Sequence, residues 1–231
     1  MNPTQSCFTF RTTSPSSKTS SAQPIALQQQ RRYARLKRTV DVLAGGAALL
    51  ALSPLMLTTA YLIKRQDGGP LLFRQTRVGE NGRHFPMLKF RSMVVDAERL
   101  RGQIATQNKH QSGPTFKIEN DPRITPLGRF IRKYSIDELP QLINVLRGEM
   151  SLVGPRPAIP SEVATYESRH LPRLAPKPGI TCFWQVGGRA NIDFEGQVVL
   201  DKRYRREASL LTDFLLLLKT IPAVLSSKGS Y

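Results

Sequence analysis

Cysteine and histidine are both scarce in this chain of 231 residues. The two cysteines, Cys7 and Cys182, stand far apart, and the three histidines, His84, His110 and His170, cluster neither with them nor with each other. Disulfide frameworks and zinc sites need such residues at short, paired spacings. The sequence therefore predicts neither a disulfide scaffold nor a structural zinc site.

Acidic residues are also few. Only 17 Asp and Glu stand against 34 Lys and Arg, a formal net charge of +17, with a pI near 10.6. Such an excess favours phosphate-rich partners or an anionic membrane surface. Hydrophobic residues make up 40% of the chain and the mean hydropathy is -0.29, which is too polar for a bundle of membrane helices. Multi-span transporters are excluded, and one catalytic or binding domain is expected.

One long apolar run is nevertheless present. The 22 residues from Val42 to Ile63 carry no charge, with Lys37 and Arg38 before them and Lys64 and Arg65 after them. A straight helix of that length would rise about 33 Å, enough for a hydrocarbon core of about 30 Å. Because cations flank both ends, the rule that basic loops stay cytoplasmic is best satisfied when both ends remain on one side.

Pro54 lies at the centre of this run. A proline there removes the hydrogen bond to the carbonyl of Leu50 and kinks the helix, and Ser53 is available to bond the freed backbone. These residues favour a re-entrant helical hairpin broken at Ser53 and Pro54. A single Pro-kinked span remains the alternative, and a cleaved secretory signal explains the length of the run less well.

The flanking segments complete the predicted organisation. The first 38 residues contain seven basic and no acidic side chains, together with many Ser, Thr and Gln, which is typical of a disordered arm. We divide the chain into a disordered basic arm at 1–36, a re-entrant membrane helix at 37–65, a cytosolic domain at 66–208 and an amphipathic, membrane-associated C-terminal helix at 209–231.

Local patterns predict the fold class. Segments 71–78 and 85–93 flank an Asn-Gly pair and predict a β-hairpin. Helical spacing of apolar residues predicts a helix over 135–147 closed by Gly148, and residues 94–107 also look helical. The apolar stripe from Leu210 to Leu225 lies on a membrane or packs on a core. We expect an α+β, mainly helical, monotopic membrane protein with a small β-hairpin and surface amphipathic helices.

Asp137 and Glu138 are the first candidates for chemistry. They open the helix predicted over 135–147, either with Ser135 and Glu138 as a capping box or with Asp137 as the N-cap and Pro140 in the first turn. Free N–H groups there can hold a phosphate beside a carboxylate, and Arg132 and Lys133 precede it. A nucleophilic carboxylate could meet a phosphoryl group here. The competing interpretation is that Asp137 only caps the helix.

Basic residues in two further motifs could bind phosphate. Arg156 lies between two prolines that stiffen the backbone around its guanidinium, which reduces the entropy lost on binding. Strand alternation places Lys89 and Arg91 on one face. An ordinary rigid turn and a solvated strand face are the respective alternatives.

The segment from Asp121 to Pro157 resembles the signature of the bacterial sugar transferase family. These proteins are the polyprenyl-phosphate sugar-1-phosphate transferases, or monotopic phosphoglycosyl transferases. The segment reads DPRITPLGRFIRKYSIDELPQLINVLRGEMSLVGPRP. Three further segments add to the resemblance. They are the apolar run with its Ser-Pro pair and basic flanks, the block GGPLLFRQTRVGENGRHFPMLKFRSM, and PGITCFWQVGGR followed by Asp201 and Tyr204. The resemblance extends from about Lys37 to Leu218. Cys182 departs from the pattern, since members usually have Gly there.

The resemblance implies a reaction. Family members transfer a sugar 1-phosphate from a nucleotide sugar, usually a UDP-sugar, to undecaprenyl phosphate on the cytoplasmic face of the bacterial inner membrane, with release of UMP. By the same resemblance, Asp137 would be the nucleophile and Glu138 its neighbouring acid or base. Mg²⁺ would lie at the Asp137 carboxylate and the diphosphate.

The resemblance also assigns binding roles and partners. Arg132 and Arg156 would bind phosphate, Lys89 and Arg91 match the family's basic strand, and Ser53 with Pro54 would break the membrane helix; 66–208 would be the phosphoglycosyl transferase domain. The partners would be the UDP-sugar, undecaprenyl phosphate and an anionic membrane surface, with no nucleic acid expected. A non-enzymatic basic membrane or nucleic-acid binder and an ordinary glycosyl transferase that leaves UDP are the competing hypotheses.

Overall fold

The computed structural model describes residues 23–101, 121–188 and 191–226. Its first helix, α1, runs from Gln23 to Asp67 and contains the apolar segment. At its centre the Ser53 hydroxyl donates to the Leu50 carbonyl at 2.7 Å, the group that Pro54 leaves without its helical donor. Residues on both sides of Pro54 belong to this one α-helical element. The path of α1 relative to a membrane stays a prediction.

The beginning of α1 corrects the predicted disordered arm. Residues 23–36 belong to the helix, while residues 1–22 lie outside the described part of the chain. Two side chains fasten this end of α1 to the C-terminal helix: the Tyr33 hydroxyl and the Lys37 ammonium donate to one oxygen of Asp213 at 3.0 and 2.7 Å. These contacts order a stretch whose composition alone favours disorder.

Both halves of α1 pack on the same globular body. Before Pro54, the Asp41 carboxylate accepts hydrogen bonds from the Ser151 hydroxyl and the Leu152 amide at 2.9 and 3.0 Å. After Pro54, Ile63 is buried in a cluster with Phe90. Residues on either side of the proline thus contact one domain.

The predicted β-hairpin is confirmed. Strands β1 (Leu72–Val78) and β2 (His84–Phe90) pair antiparallel, with Phe73 opposite Lys89. A 3-10 turn over Glu80–Gly82 joins them, and its Asn-Gly pair takes positive φ angles of 54° and 80°, the conformation that these residue types tolerate best. The pleat places Lys89 on the same face as the odd-numbered residues of β1.

A second small sheet was not predicted. Strand β3 (Ser151–Val153) pairs in parallel with β4 (Gly179–Thr181). Gly154 and Gly179 meet so closely that a Cβ on either would collide with the backbone of the other segment. This approach holds the Gly154–Pro157 motif beside β4.

The remaining helices confirm a mainly helical α+β fold. They are α2 (Ala97–Arg101), α3 (Pro126–Lys133), α4 (Gln141–Arg147), α5 (Pro160–Val163), α6 (Phe183–Gly187), α7 (Phe194–Glu207) and α8 (Leu210–Ser226), with a further 3-10 turn at Leu171–Leu174. Helix α2 covers part of the helix predicted over 94–107. Residues 94–96 are not helical, and residues 102–107 lie outside the described part of the chain.

The helix predicted over 135–147 is divided. Residues Ile136–Glu138 form a 3-10 turn, and α4 begins only at Gln141. Pro140 explains the division, since its ring lacks an N–H and would clash with the carbonyl four residues earlier inside an α-helix. Ser135 has a left-handed φ of 55° and makes no capping bond, so neither predicted cap forms. Gly148, with φ 82°, closes α4 as expected.

Two apolar clusters position this 3-10 turn. One contains Met87, Leu142 and Val145 together with Leu216 of α8, and the other contains Ile131 and Ile136. The hairpin contributes to both clusters, because its strands alternate between them. The carboxylates at 137 and 138 are therefore carried on a short turn whose base is anchored by packing.

Helix α8 is amphipathic, as the stripe predicts. Its inner face buries Asp213 and Leu216, and its outer face exposes Leu211, Phe214, Leu215, Leu218, Ile221 and Leu225. Within the described residues, one helix, over Arg32–Asp67, is long and apolar enough to cross a membrane by length and composition.

Candidate active site

A cleft of about 830 Å³ lies against the hairpin, the 3-10 turn at 136–138 and the segment after β3. Its walls include six residues that the sequence singled out: Lys89, Arg91, Arg132, Asp137, Glu138 and Arg156. They come from β2 and the residue after it, α3, the turn and the Gly-Pro-Arg-Pro motif. The fold thus brings together residues that are widely separated in sequence.

Glu138 is held by two cations. The Lys89 ammonium donates to its Oε1 at 2.6 Å, and the Arg156 guanidinium donates to the same oxygen at 3.2 Å. Burial alone would raise the pKa of Glu138, but these two charges outweigh it and hold the pKa well below its usual range. Glu138 is therefore an ionised anchor at neutral pH and a weak proton acceptor.

Asp137 differs from its neighbour. Asp137 is only 7% exposed and lines the cleft, yet its carboxylate accepts no hydrogen bond from any described residue. Burial raises the pKa of Asp137 above its usual value, and Lys89 offsets only part of that effect. The two adjacent carboxylates thus have opposite pKa shifts, and Asp137 is the one to which no described residue donates a hydrogen bond.

Arg132 projects from the last turn of α3. Its Nε donates to the Ser92 hydroxyl at 2.7 Å, and α3 itself is set against Ser92 because the Thr125 amide bonds the Ser92 carbonyl at 3.1 Å. The Thr125 hydroxyl then caps the helix at Gly128 with a bond of 2.9 Å. This chain of contacts fixes Arg132 beside the carboxylates.

Arg91 also lines the cleft, but its guanidinium is paired with residues outside this group. Its guanidinium donates to Asp67 at the end of α1, at 2.6 Å for Nη1, and to the Pro70 carbonyl at 2.7 Å. Strand β2 ends at Phe90, so the alternation that placed Arg91 on the same face as Lys89 no longer applies. Arg91 links α1 to the hairpin, and its phosphate-binding role stays a prediction.

Sequence reasoning missed a buried ion pair at another part of the cleft wall. The Arg173 guanidinium lies 2.7 Å from the Asp201 carboxylate, and the two side chains are 5% and 1% exposed. Burial raises the pKa of Asp201 to about 6, against the opposing charge of Arg173. Arg173 also lies over the rings of Tyr166 and Phe194. No spacing in the sequence links the partners, which are joined only by the tertiary fold.

The residues present fit a metal ion only in company with substrate. No cluster of three or more His, Cys, Asp or Glu side chains occurs among the described residues, and Glu138 is occupied by cations. Asp137 is left as a single carboxylate ligand. Mg²⁺ commonly binds one or two carboxylates together with substrate phosphates, so the site suits an ion shared with a diphosphate.

A carboxylate that accepts no hydrogen bond from any described residue, in a cleft lined by Lys and Arg, is an arrangement able to bind and react with a phosphoryl group. Comparison with known families gives the same class. Residues 30–227 match the family described as Bacterial sugar transferase, and the chain belongs to this family of transferases. The resemblance of its signature to that family is confirmed.

Several curated relatives are similar over most of the chain. The Exopolysaccharide production protein ExoY of Sinorhizobium fredii is 43% identical over 198 residues, 84% of this chain and 88% of that protein. The Undecaprenyl-phosphate galactose phosphotransferase of Salmonella typhimurium is 43% identical over 199 residues, 85% of this chain and 42% of that protein. The Undecaprenyl-phosphate glucose phosphotransferase of Komagataeibacter xylinus is 41% identical over 206 residues, 84% of this chain and 37% of that protein. The chain thus spans less than half the length of the last two relatives.

Proposed function

We propose that this protein transfers a sugar 1-phosphate from a UDP-sugar to undecaprenyl phosphate, releases UMP, and thereby starts the synthesis of an exopolysaccharide, capsule or other surface glycan. The names of the relatives from Salmonella, Komagataeibacter and Sinorhizobium support the acceptor and the pathway class. The observation that carries the proposal is the Asp137 carboxylate, which is buried in a basic cleft without a hydrogen-bond partner among the described residues.

Asp137 acts as the nucleophile. Its carboxylate oxygen attacks the phosphorus that bears the sugar, the new O–P bond forms, and the bond from that phosphorus to the UMP oxygen breaks. UMP leaves with the bonding electron pair. A phosphate oxygen of the lipid acceptor then attacks the same phosphorus and releases Asp137, so one difficult exchange becomes two easier steps.

The cations around Asp137 lower the barrier by neutralising charge. Lys89, Arg156 and Arg132 line the same cleft as the nucleophile, where they can contact the diphosphate and the charge that develops on the leaving group. Glu138 acts by orienting Lys89 and Arg156, because a carboxyl with a strongly lowered pKa is a poor general base at neutral pH.

Mg²⁺ is part of the proposal. Asp137 would hold it together with the substrate diphosphate, and the ion would supply further neutralisation of phosphate charge. The protein's own contribution is to keep the carboxylate ionised and close to cations, which Lys89 and Arg132 favour electrostatically.

The proposal includes a monotopic membrane arrangement at the cytoplasmic face of the bacterial inner membrane. It is supported by the attachment of both halves of α1 to one domain, by Pro54 within the helix and by the exposed apolar face of α8. The basic residues that flank the apolar segment would meet anionic lipid. Labelling of single cysteines introduced at Arg35 and Arg65 tests this arrangement, and reaction from opposite sides of the membrane would contradict it.

The experiment that tests the reaction separates its two steps. The detergent-purified protein is mixed with Mg²⁺ and each member of a panel of UDP-sugars, first without and then with undecaprenyl phosphate. We expect UMP before the acceptor is added, and a sugar-phosphate adduct on the peptide that contains Asp137, detected by mass spectrometry of quenched enzyme. The exposed carboxylate Asp96 supplies the control variant Asp96→Asn, which should still form the adduct.

The released nucleotide distinguishes the competing hypotheses. UDP in place of UMP would indicate an ordinary glycosyl transferase. A strict need for both substrates before UMP appears would exclude the covalent intermediate. Salt-sensitive binding to anionic polymers with no nucleotide release would indicate a non-enzymatic basic binder.

A further inference from the structure

The segment that carries Arg156 is fixed through the carbonyl groups on both sides of that residue. On the N-terminal side, the Gly179 amide donates to the Pro155 carbonyl at 2.9 Å. On the C-terminal side, Nη1 of Arg77 donates to the Pro157 carbonyl at 2.9 Å. Pro155 and Pro157 have no N–H of their own to donate, so these bonds to their carbonyls hold the backbone around Arg156.

Arg77 is itself held in one orientation. Its Nη2 donates to Oε1 of Gln75 at 2.6 Å, and both residues lie on the cleft-lining face of β1. A planar guanidinium that bonds in two directions cannot rotate without losing one of the bonds. The next residue along the strand adds a further link, because the Val78 amide donates to the Ala158 carbonyl at 2.8 Å.

The positive charges of Arg77 and Arg156 also favour the orientation of Arg156 that these hydrogen bonds support. Burial lowers the pKa of Arg77 to about 10, and the neighbouring positive charge of Arg156 contributes, so both guanidinium groups are charged at neutral pH. Two like charges repel. This repulsion favours the observed orientation of Arg156, in which it donates to Glu138 at 3.2 Å.

We propose that Arg77 is a positioning residue of the transferase, which fixes the Pro157 carbonyl and so sets the Arg156 guanidinium against Glu138. This inference rests on the proposed function, in which Arg156 contacts the diphosphate. Arg77 acts through Arg156. Its removal should therefore affect the reaction only while Arg156 is present to be positioned.

A double-mutant cycle on the full-length protein in detergent tests this dependence. The variants are Arg77→Gln, Arg156→Gln and the pair, with UMP release from UDP-sugar as the readout. We expect Arg77→Gln to lower kcat by on the order of 100-fold, the scale of a small misplacement of a catalytic group. The double variant should be no slower than Arg156→Gln alone, because residues that act as one unit are not additive.

Two further variants serve as controls. Arg77→Lys keeps the charge but cannot bond Gln75 and Pro157 as a fork, so it should recover only part of the lost kcat. Arg74→Gln changes an exposed arginine on the same strand and should leave kcat unchanged.

Other outcomes would overturn the inference. Multiplicative effects of the two glutamine variants would mean that Arg77 contacts substrate directly or supports the fold in general. An unchanged kcat in Arg77→Gln would mean that Arg156 needs no such support. Neither result affects the proposed function, which fails only when the wild-type protein releases no UMP from any UDP-sugar in the panel.

Discussion

Asp137 and Asp213 are buried to a similar degree, at 7% and 6% exposure, but their surroundings are opposite. Asp213 accepts hydrogen bonds from Tyr33, Lys37 and Tyr204, the last at 2.8 Å. Asp137 accepts none from the described residues. A buried carboxylate with a complete set of donors stabilises a packing arrangement, whereas one without donors is costly to bury and remains available to a ligand or a reacting atom.

The net charge around Asp213 also differs from that around Asp137. Asp213 is paired with Lys37, so one charge of each sign meets at the junction of α1 and α8. In the cleft, Lys89, Arg132 and Arg156 stand with Asp137 and Glu138, a local excess of positive charge among these residues. A bound diphosphate would remove that excess. The junction is electrostatically complete without a ligand, and the cleft is not.

The largest effect is expected from Asp137→Asn. The amide keeps the size of the side chain but is not a nucleophile, so UMP release should fall by several orders of magnitude. The melting temperature should stay the same or rise, because the substitution removes a buried charge without hydrogen-bond donors. Measurements of turnover and of thermal unfolding on the same variant check this. A large loss of stability would show that Asp137, like Asp213, stabilises the fold.

Asp213→Ala should have the opposite effects: a large loss of stability and little change in the activity of the folded protein. It leaves the Lys37 ammonium and the Tyr33 hydroxyl without their acceptor, while Tyr204 can still donate to the Val153 carbonyl. Breaking a buried pair in this way costs about 3–5 kcal/mol of unfolding free energy. Denaturant titration in detergent measures the loss, with the exposed Asp96→Ala as the matched control. The fraction that remains folded should still release UMP, because Asp213 makes no contact with the cleft carboxylates.

The pH dependence of UMP formation and of stability gives a further test of the role of Asp137. The attacking form of Asp137 is ionised, and burial raises its pKa above 3.8, so UMP formation should decline on acidification at a higher pH than an ordinary aspartate would give. The stability effect has the opposite sign. A raised folded-state pKa contributes stability below the unfolded pKa, and this contribution is lost as the pH rises through the folded-state pKa.

Two measurements check the pH prediction. A pH profile of acceptor-free UMP release should show the displaced acid limb, and Lys89→Met should move it to still higher pH by removing the main opposing charge. The unfolding free energy of Asp137→Asn should lack the loss that the wild type shows as the pH rises. An acid limb at the pH of a free aspartate would contradict the assignment.

The smallest effect is expected on the outer face of α8. Phe214 is 56% exposed there, and Phe214→Ser should weaken association with anionic vesicles by about 1–2 kcal/mol, the scale of burying part of an aromatic ring. Val199→Ser, at a 59% exposed position on α7, is the control and should not change vesicle binding. Equal losses in both variants would show that α8 has no special part in membrane contact.

Local sequence patterns predicted the elements well where one short-range interaction decides the structure. The Asn-Gly pair fixed the position of the hairpin turn because few residues tolerate its positive φ angles, and Ser53 bonds the carbonyl that Pro54 frees. The same reasoning placed a helix start near Asp137, but Pro140 delays α4 to Gln141. The prediction placed Pro140 in the first turn of a helix capped by Asp137, whereas Pro140 itself is the residue that precedes α4.

By itself the sequence determined the family signature, the carboxylate pair, the apolar segment and the excess of positive charge, because each is a property of residues close together in the chain. The tertiary structure alone decided which carboxylate is free. Lys89 reaches Glu138 from a different element, and Arg156 reaches it from another, while Arg91 is drawn to Asp67. Charge pairing between distant segments depends on distances of a few ångströms, and only the packing of α1, the hairpin and the 3-10 turn sets those distances.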